Sequence, residues 1–268
     1  MARIKAIYIY PIKGMRGISL SESELQPEGL RHDRRWMLVD ETGTFLSQRT
    51  HPQMARFVPE MHDDALIVRY EGTSIEVPVA KATGSDLAVS VFDDRMHARE
   101  VDADLNQWFS GHLGQSVRLV RHSRNTDRQK NFKKYVPDSV AATTTPVSFA
   151  DGYPYLLLGT ASMDLLNSKL DDPLPADRFR ANLLLYTDRP HEEDDWNEFQ
   201  LGSARMLSVK PCARCQVTTI DQQTGVKGTE PLRTLATYRR VDNKVLFGAN
   251  AVLLEKGRIA VGDEVRLD

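Results

Sequence analysis

The chain is broken by turn residues too often to be built from long helices. Residues 4–10 read as a strand that stops at Pro11-Ile12-Lys13-Gly14; residues 36–40 and 44–47 flank Asp40-Glu41-Thr42-Gly43, and residues 66–70 and 74–79 flank Glu71-Gly72-Thr73. The last two are paired runs around a glycine-containing turn, the pattern of a hairpin, and the first leaves Lys13 on a loop at the strand's end. Further short strands read at 87–92, 117–120, 155–158, 199–201, 204–209, 245–247, 251–254 and 259–267. Three stretches read as helix. One starts at Asp102 as N-cap, sets Leu105, Trp108, Phe109, His112 and Leu113 on one face and stops at Gly114; His112 reads as packed or partly exposed. A second is capped by Thr160 and carries Met163, Leu166 and Leu170, and a short third lies near 231–239.

Many short strands, few helices and repeated turns predict a mostly β chain with a few helices (α+β), largely antiparallel and barrel-like. Its 268 residues, 41% hydrophobic, suffice for two packed β-barrel-like domains, divided as 1–118 and 119–268. No Gly/Ser linker separates them, so firm contact is expected.

Charge narrows the partners. Lys+Arg 35 against Asp+Glu 37 gives a net charge of -2, which points to no nucleic acid and no anionic membrane surface. The amino terminus alternates polar and apolar residues, and no run nears the roughly 18 apolar residues of a membrane span. Two cysteines make no disulfide framework, and a cytoplasmic location is expected. GxGxxG, GxxxxGK[ST] and GxSxG are all absent, and the seven histidines are scattered.

Chemistry concentrates in residues 208–225, SVKPCARCQVTTIDQQTG, which hold both cysteines. The run reads as strand, cysteine loop, then a strand over Val217, Thr218, Thr219 and Ile220. A thioredoxin-type Cys-x-x-Cys opens a helix, which the β-branched run disfavours, and two cysteines supply half of a structural zinc site. What remains is a thiolate flanked by Lys210 and Arg214, suited to a metal that brings most of its own ligands, or else one or two inert core cysteines. In RFRANLLLY a strand sets Arg178, Arg180 and Asn182 on one face, costly near a core without an anion. Between Arg121 and Lys134 six basic residues form a solvated loop, or else a lid or docking patch.

The segments YPIKGMRGISL, GLRHDRRWMLVDETGTFLSQR, FADGYPYLLL, FRANLLL, DWNEFQLGS, KPCARCQVTTIDQQTG and IAVGDEV resemble, in order, the MOSC-domain proteins with an amino-terminal MOSC β-barrel domain. Within them the chain is similar to bacterial relatives of the mitochondrial amidoxime-reducing component. That resemblance implies a molybdenum cofactor (molybdopterin), with Cys215 as the protein ligand of the metal. It also implies Lys13, Arg34, Arg180 and Asn182 as cofactor contacts and Asp151 as the acidic residue near the metal and a source of protons. The activity implied is reduction of small N-hydroxylated compounds such as hydroxylamines, amidoximes and hydroxylated bases. Two cysteines cannot hold an iron–sulfur cluster, so electrons are expected from a separate donor, a ferredoxin-like protein or flavin reductase. A non-catalytic cofactor or sulfur carrier is the alternative.

Overall fold

The computed structural model describes residues 2–63, 65–80, 82–123, 126–133 and 143–267. Its largest sheet runs in the order Ile18–Leu20, Arg3–Ile9, Leu183–Tyr186, Tyr155–Gly159, Lys244–Glu255, Ala204–Arg214, Glu198–Leu201 and Val265–Leu267. Tyr155–Gly159 and Leu183–Tyr186 run parallel; the other pairings in this sheet are antiparallel. A parallel pair needs a crossover, and the helix Thr160–Asn167 provides it.

Both faces of this sheet are covered, which is why LLL appears where a half-exposed strand would alternate. Leu183 and Leu185 join Ile4, Ile7, Phe199 and Met206 on one side. Leu184, between them, joins Met163, Leu166, Phe179 and Phe247 on the other.

The amino-terminal half has its own sheet, Trp36–Val39, Arg118–Arg121, Asp94–Glu100 and Asp86–Val91, all antiparallel. A three-stranded sheet, Val58–Met61, Ala65–Tyr70 and Thr73–Pro78, stands beside it. The helix Ala103–Leu113 begins where its sequence indicates: Asp102 accepts from the Asp104 N–H at 2.8 Å, and Gly114 closes it at φ 70°. Leu105, Phe109 and Leu113 pack with Trp36, Phe57 and Tyr70. His112 lies against the rings of Tyr70 and Trp108 and meets Thr73 Oγ1 at 3.1 Å.

The architecture is mostly β with three helices, as expected, but four local expectations are corrected. Val217 to Ile220 do not form a strand: Gln216–Thr219 is a turn of 3-10 helix. The Thr218 hydroxyl donates to the Cys215 carbonyl at 3.0 Å and that of Thr219 to Gln216 at 2.8 Å, a local satisfaction that lets threonine leave the sheet. RFRANLLLY is not one strand either. Ala176–Phe179 is 3-10 helix, Arg180 is left-handed (φ 53°), and the strand begins at Leu183. Residues 245–247 and 251–254 are parts of one strand, Lys244–Glu255, and residues 259–267 are divided between Gly257–Ala260 and Val265–Leu267.

The basic stretch is not simply solvated. Arg124 and Lys134 lie outside the described residues, but Arg128 is 3% exposed. Its guanidinium donates to the carbonyls of Ser148 (2.8 Å), Ala150 and Asp151 (3.2 Å), and to Asp94 Oδ2 at 2.8 Å.

The two halves share structure at their seam. Arg3–Ile9 pairs with Leu183–Tyr186, and Gly257–Ala260 pairs with Glu22–Gln26. Among the described residues no helix is long and apolar enough to cross a membrane.

Candidate functional site

A cleft opens between the halves, with about 880 Å³ of space not filled by protein, its mouth included. Lys13, Arg34, Asp151, Arg180, Asn182 and Cys215 all line it.

Lys13 follows the end of the first strand, where its N–H donates to the Trp36 carbonyl at 2.8 Å. That bond fixes the direction of a lysine only 6% exposed. Its Nζ donates to the Phe149 carbonyl at 2.8 Å and to Asp151 Oδ1, and lies 5.0 Å from the centre of the Phe45 ring. Burial lowers its pKa to about 8, against the opposing pull of the Asp151 charge.

Asp151 is held at about 2: burial raises it, but the Lys13 charge and hydrogen bond, with Arg49 and Arg34, lower it more. Its side chain is nevertheless 56% exposed toward the cleft, so water screens the pair and its worth to stability is small. A carboxyl held near 2 is ionised at neutral pH and has no proton to give. This departs from the expected acid, and makes Lys13 the member of the pair that exchanges a proton near neutrality.

Arg34 and Arg180 form a reciprocal clasp across the seam. Arg34 Nη2 donates to the Arg180 carbonyl at 3.0 Å, and Arg180 Nη1 donates to the Met15 carbonyl at 2.6 Å. Both guanidiniums lie 4.3 Å from the centre of the Tyr10 ring, and Arg34 also donates to the buried Asp33 at 2.6 Å. Both residues are left-handed, at φ 47° and 53°, conformations costly for any residue but glycine and typical of functional sites. Burial and the nearby Arg34 lower the Arg180 pKa to about 10, leaving it cationic at neutral pH.

Asn182 is 2% exposed, and both ends of its amide are engaged by backbone. Its Oδ1 accepts from the Leu156 N–H and its Nδ2 donates to the Tyr8 carbonyl, each at 3.2 Å. It ties the two strands flanking Leu183–Tyr186 together at the cleft floor.

The cysteines part company at the end of strand Ala204–Arg214. Cys212 lies within it, and Cys215 follows as the exposed residue from which the 3-10 turn starts. Arg214 turns away from Cys215: its Nη1 donates to Cys212 Sγ at 3.0 Å and its Nη2 to the Phe179 carbonyl at 2.6 Å. The cation beside Cys215 is Arg49, whose Nη1 is 3.9 Å from Sγ. Sequence reasoning did not single out Arg49. Its signal was its place in the SQR that closes the first hairpin, a loop position at a sheet's end.

Next to Arg49, Gln48 exchanges amide hydrogen bonds with Gln222 of the other half, at 3.0 and 2.9 Å. Cations outnumber acids in the cleft: Lys13, Arg34, Arg49, Arg180 and Arg214 line it, against Asp151 alone among the described residues. Such a site attracts a multiply charged anion. No group of three or more His, Cys, Asp or Glu among the described residues could hold a metal ion. A metal at Cys215 would therefore bring most of its own ligands.

Comparison with known proteins agrees with this architecture. Residues 1–116 match the MOSC N-terminal beta barrel domain and residues 144–266 match the MOSC domain. The chain belongs to the MOSC-domain proteins that carry an amino-terminal MOSC β-barrel. It is 33% identical to mitochondrial amidoxime-reducing component 1 of Mus musculus over 280 residues, covering 98% of this chain and 82% of that one. With the human protein of the same name the identity is 30% over 287 residues, covering 98% and 82%. With molybdenum cofactor sulfurase of Arabidopsis thaliana it is 30% over 287 residues, covering 99% of this chain but 35% of that protein.

Proposed function

We propose that the protein is a molybdenum-cofactor-dependent reductase of N-hydroxylated compounds that takes electrons from a separate redox protein, ferredoxin-like or a flavin reductase. The observation that carries this reading is the cation-lined cleft with one exposed thiol, Cys215, at its edge. The likeness to amidoxime-reducing components over nearly the whole chain supports it.

The residues fit the group. Cys215, the ligand that the family resemblance implies, is the exposed thiol of the two and lines the cleft, which suits that role. Arg34, Arg180 and Lys13 hold the phosphate-bearing tail, for which guanidinium forks and a lysine charge are suited. Asn182 serves by fixing the cleft floor, its amide being spent on backbone. When bound, the cofactor supplies two-electron redox chemistry; a hydroxylamine consumes two electrons and two protons to leave an amine and water. The Asp151 anion beside Lys13 keeps that lysine charged for its contact with the phosphate at neutral pH.

The test is the molybdenum and pterin content of protein purified from a host that makes the cofactor, beside its reduction of an amidoxime with an artificial donor. Near-stoichiometric metal and turnover in the wild type, both lost in Cys215→Ala with the fold intact by circular dichroism, is the expected result. The similarity to the cofactor sulfurases favours a second reading, a cofactor or sulfur carrier. Loose, substoichiometric cofactor with no turnover for any donor would replace the first reading by this one.

A further inference from the structure

Behind the cleft, residues 31–35 carry a second concentration of cations that the proposed activity does not use. The backbone is left-handed at both His32 (φ 68°) and Arg34 (φ 47°). Arg34 faces the cleft, whereas Arg31, His32 and Arg35 line an open groove together with Arg99, Arg121 and His122. The four guanidiniums reach it from three elements: this segment, the strand Asp94–Glu100 and the strand Arg118–Arg121.

Their charge is poorly balanced. Among the described residues Glu28 is the one carboxylate lining the groove, and Arg35 Nη1 donates to it at 2.9 Å. Arg99 approaches Asp86 only to 3.6 Å. Arg121 donates from Nη1 to the Ala80 carbonyl at 3.1 Å, while its Nε is buried without a partner. Four guanidiniums facing a groove lined by one carboxylate repel one another, a cost that an anion in the groove would offset.

Two histidines border the same groove. Burial first, then the neighbouring arginines, push His32 and His122 down to about 4. Both rings are neutral at pH 7, so the groove's positive charge belongs to the arginines.

We propose that this groove binds a phosphate-bearing small anion, held by Arg31, Arg35, Arg99 and Arg121. Guanidiniums arriving from three elements suit a group that offers oxygens in several directions, as phosphate does and a planar carboxylate does not. The Trp36 ring beneath Arg121 is fully buried, so it offers no stacking surface for a nucleobase, and recognition rests on the phosphate. The inference stands apart from the reading of the cleft.

The two histidines make the groove observable without any enzymatic assay. An oxyanion beside them favours the imidazolium form. In NMR titrations of the full chain at constant ionic strength, inorganic pyrophosphate is expected to raise the His32 and His122 midpoints by about one pH unit. Arg99→Gln changes a side chain 42% exposed, which spares the fold, and should weaken the pyrophosphate response roughly tenfold. Glucose 6-phosphate in place of pyrophosphate separates the sources: a response to both means phosphate esters are ligands, a response to pyrophosphate alone means free inorganic anions. Midpoints unmoved by pyrophosphate, or moved equally in wild type and Arg99→Gln, overturn the proposal.

Discussion

Lys13 carries the pH sensitivity of the cleft. Its pKa falls from 10.5 to about 8 because burial disfavours the ammonium more than Asp151 favours it. The lysine is thus a cation below about 8 and neutral above, and anion affinity in the cleft should fall as pH rises through that value. Calorimetric titration with inorganic phosphate at pH 7 and pH 9 checks this; the expected difference is absent in Lys13→Met. Asp151→Asn removes the charge that props the lysine up, so the same transition should move to lower pH. The folding linkage has the matching sign. With the folded pKa below the unfolded one, the lysine's penalty is full below about 8 and fades as pH rises toward 10.5. The six residues that the family resemblance singled out do line one cleft, yet the partner that holds Asp151 so far down was not legible in the sequence. That partner is a lysine 138 positions away.

At the scale of elements, the loop bearing Asp151 is held by a strap from the basic stretch. Arg128, from the other side of the undescribed residues 134–142, satisfies three carbonyls of that loop and one carboxylate. Arg128→Met keeps the apolar stem but leaves those three carbonyls without their donor, while Asp94 keeps its pair with Lys130 at 2.5 Å. A loss of about 3 kcal/mol in urea unfolding is expected, with weakened anion binding in the cleft. A loss below about 0.5 kcal/mol would mean that the strap is ornamental. The helix Ala103–Leu113 was legible because its signals, an Asp cap, an apolar face and a closing glycine, are all local. The turn after Cys215 was not, because β-branched residues favour strand until the threonine hydroxyls find carbonyls within the turn.

The whole molecule is joined by a core that ignores the division of the chain. Ile4, Ile7, Ile9, Leu25 and Leu30 of the amino-terminal half pack with Tyr155, Leu157, Phe199 and Met206 of the other. Each buried aliphatic contributes about 1.5–3 kcal/mol. Losing five approaches the roughly 5–15 kcal/mol that stabilises a whole domain. A fragment of residues 119–268 is therefore expected not to hold its fold, showing collapsed NMR dispersion or insolubility. A well-dispersed spectrum from that fragment would show that the shared core is dispensable. The sequence by itself determined the strand-rich class and the first helix with its caps, because those follow from local periodicity and turn chemistry, whereas the residues of the cleft were legible through the resemblance of several ordered motifs to a known family. Only the tertiary structure decided that Arg49 rather than Arg214 faces Cys215, that Asp151 is paired with Lys13, and that the arginines beside Arg34 open onto a separate groove. Those outcomes depend on burial and on partners brought together from distant parts of the chain, and no local pattern encodes them.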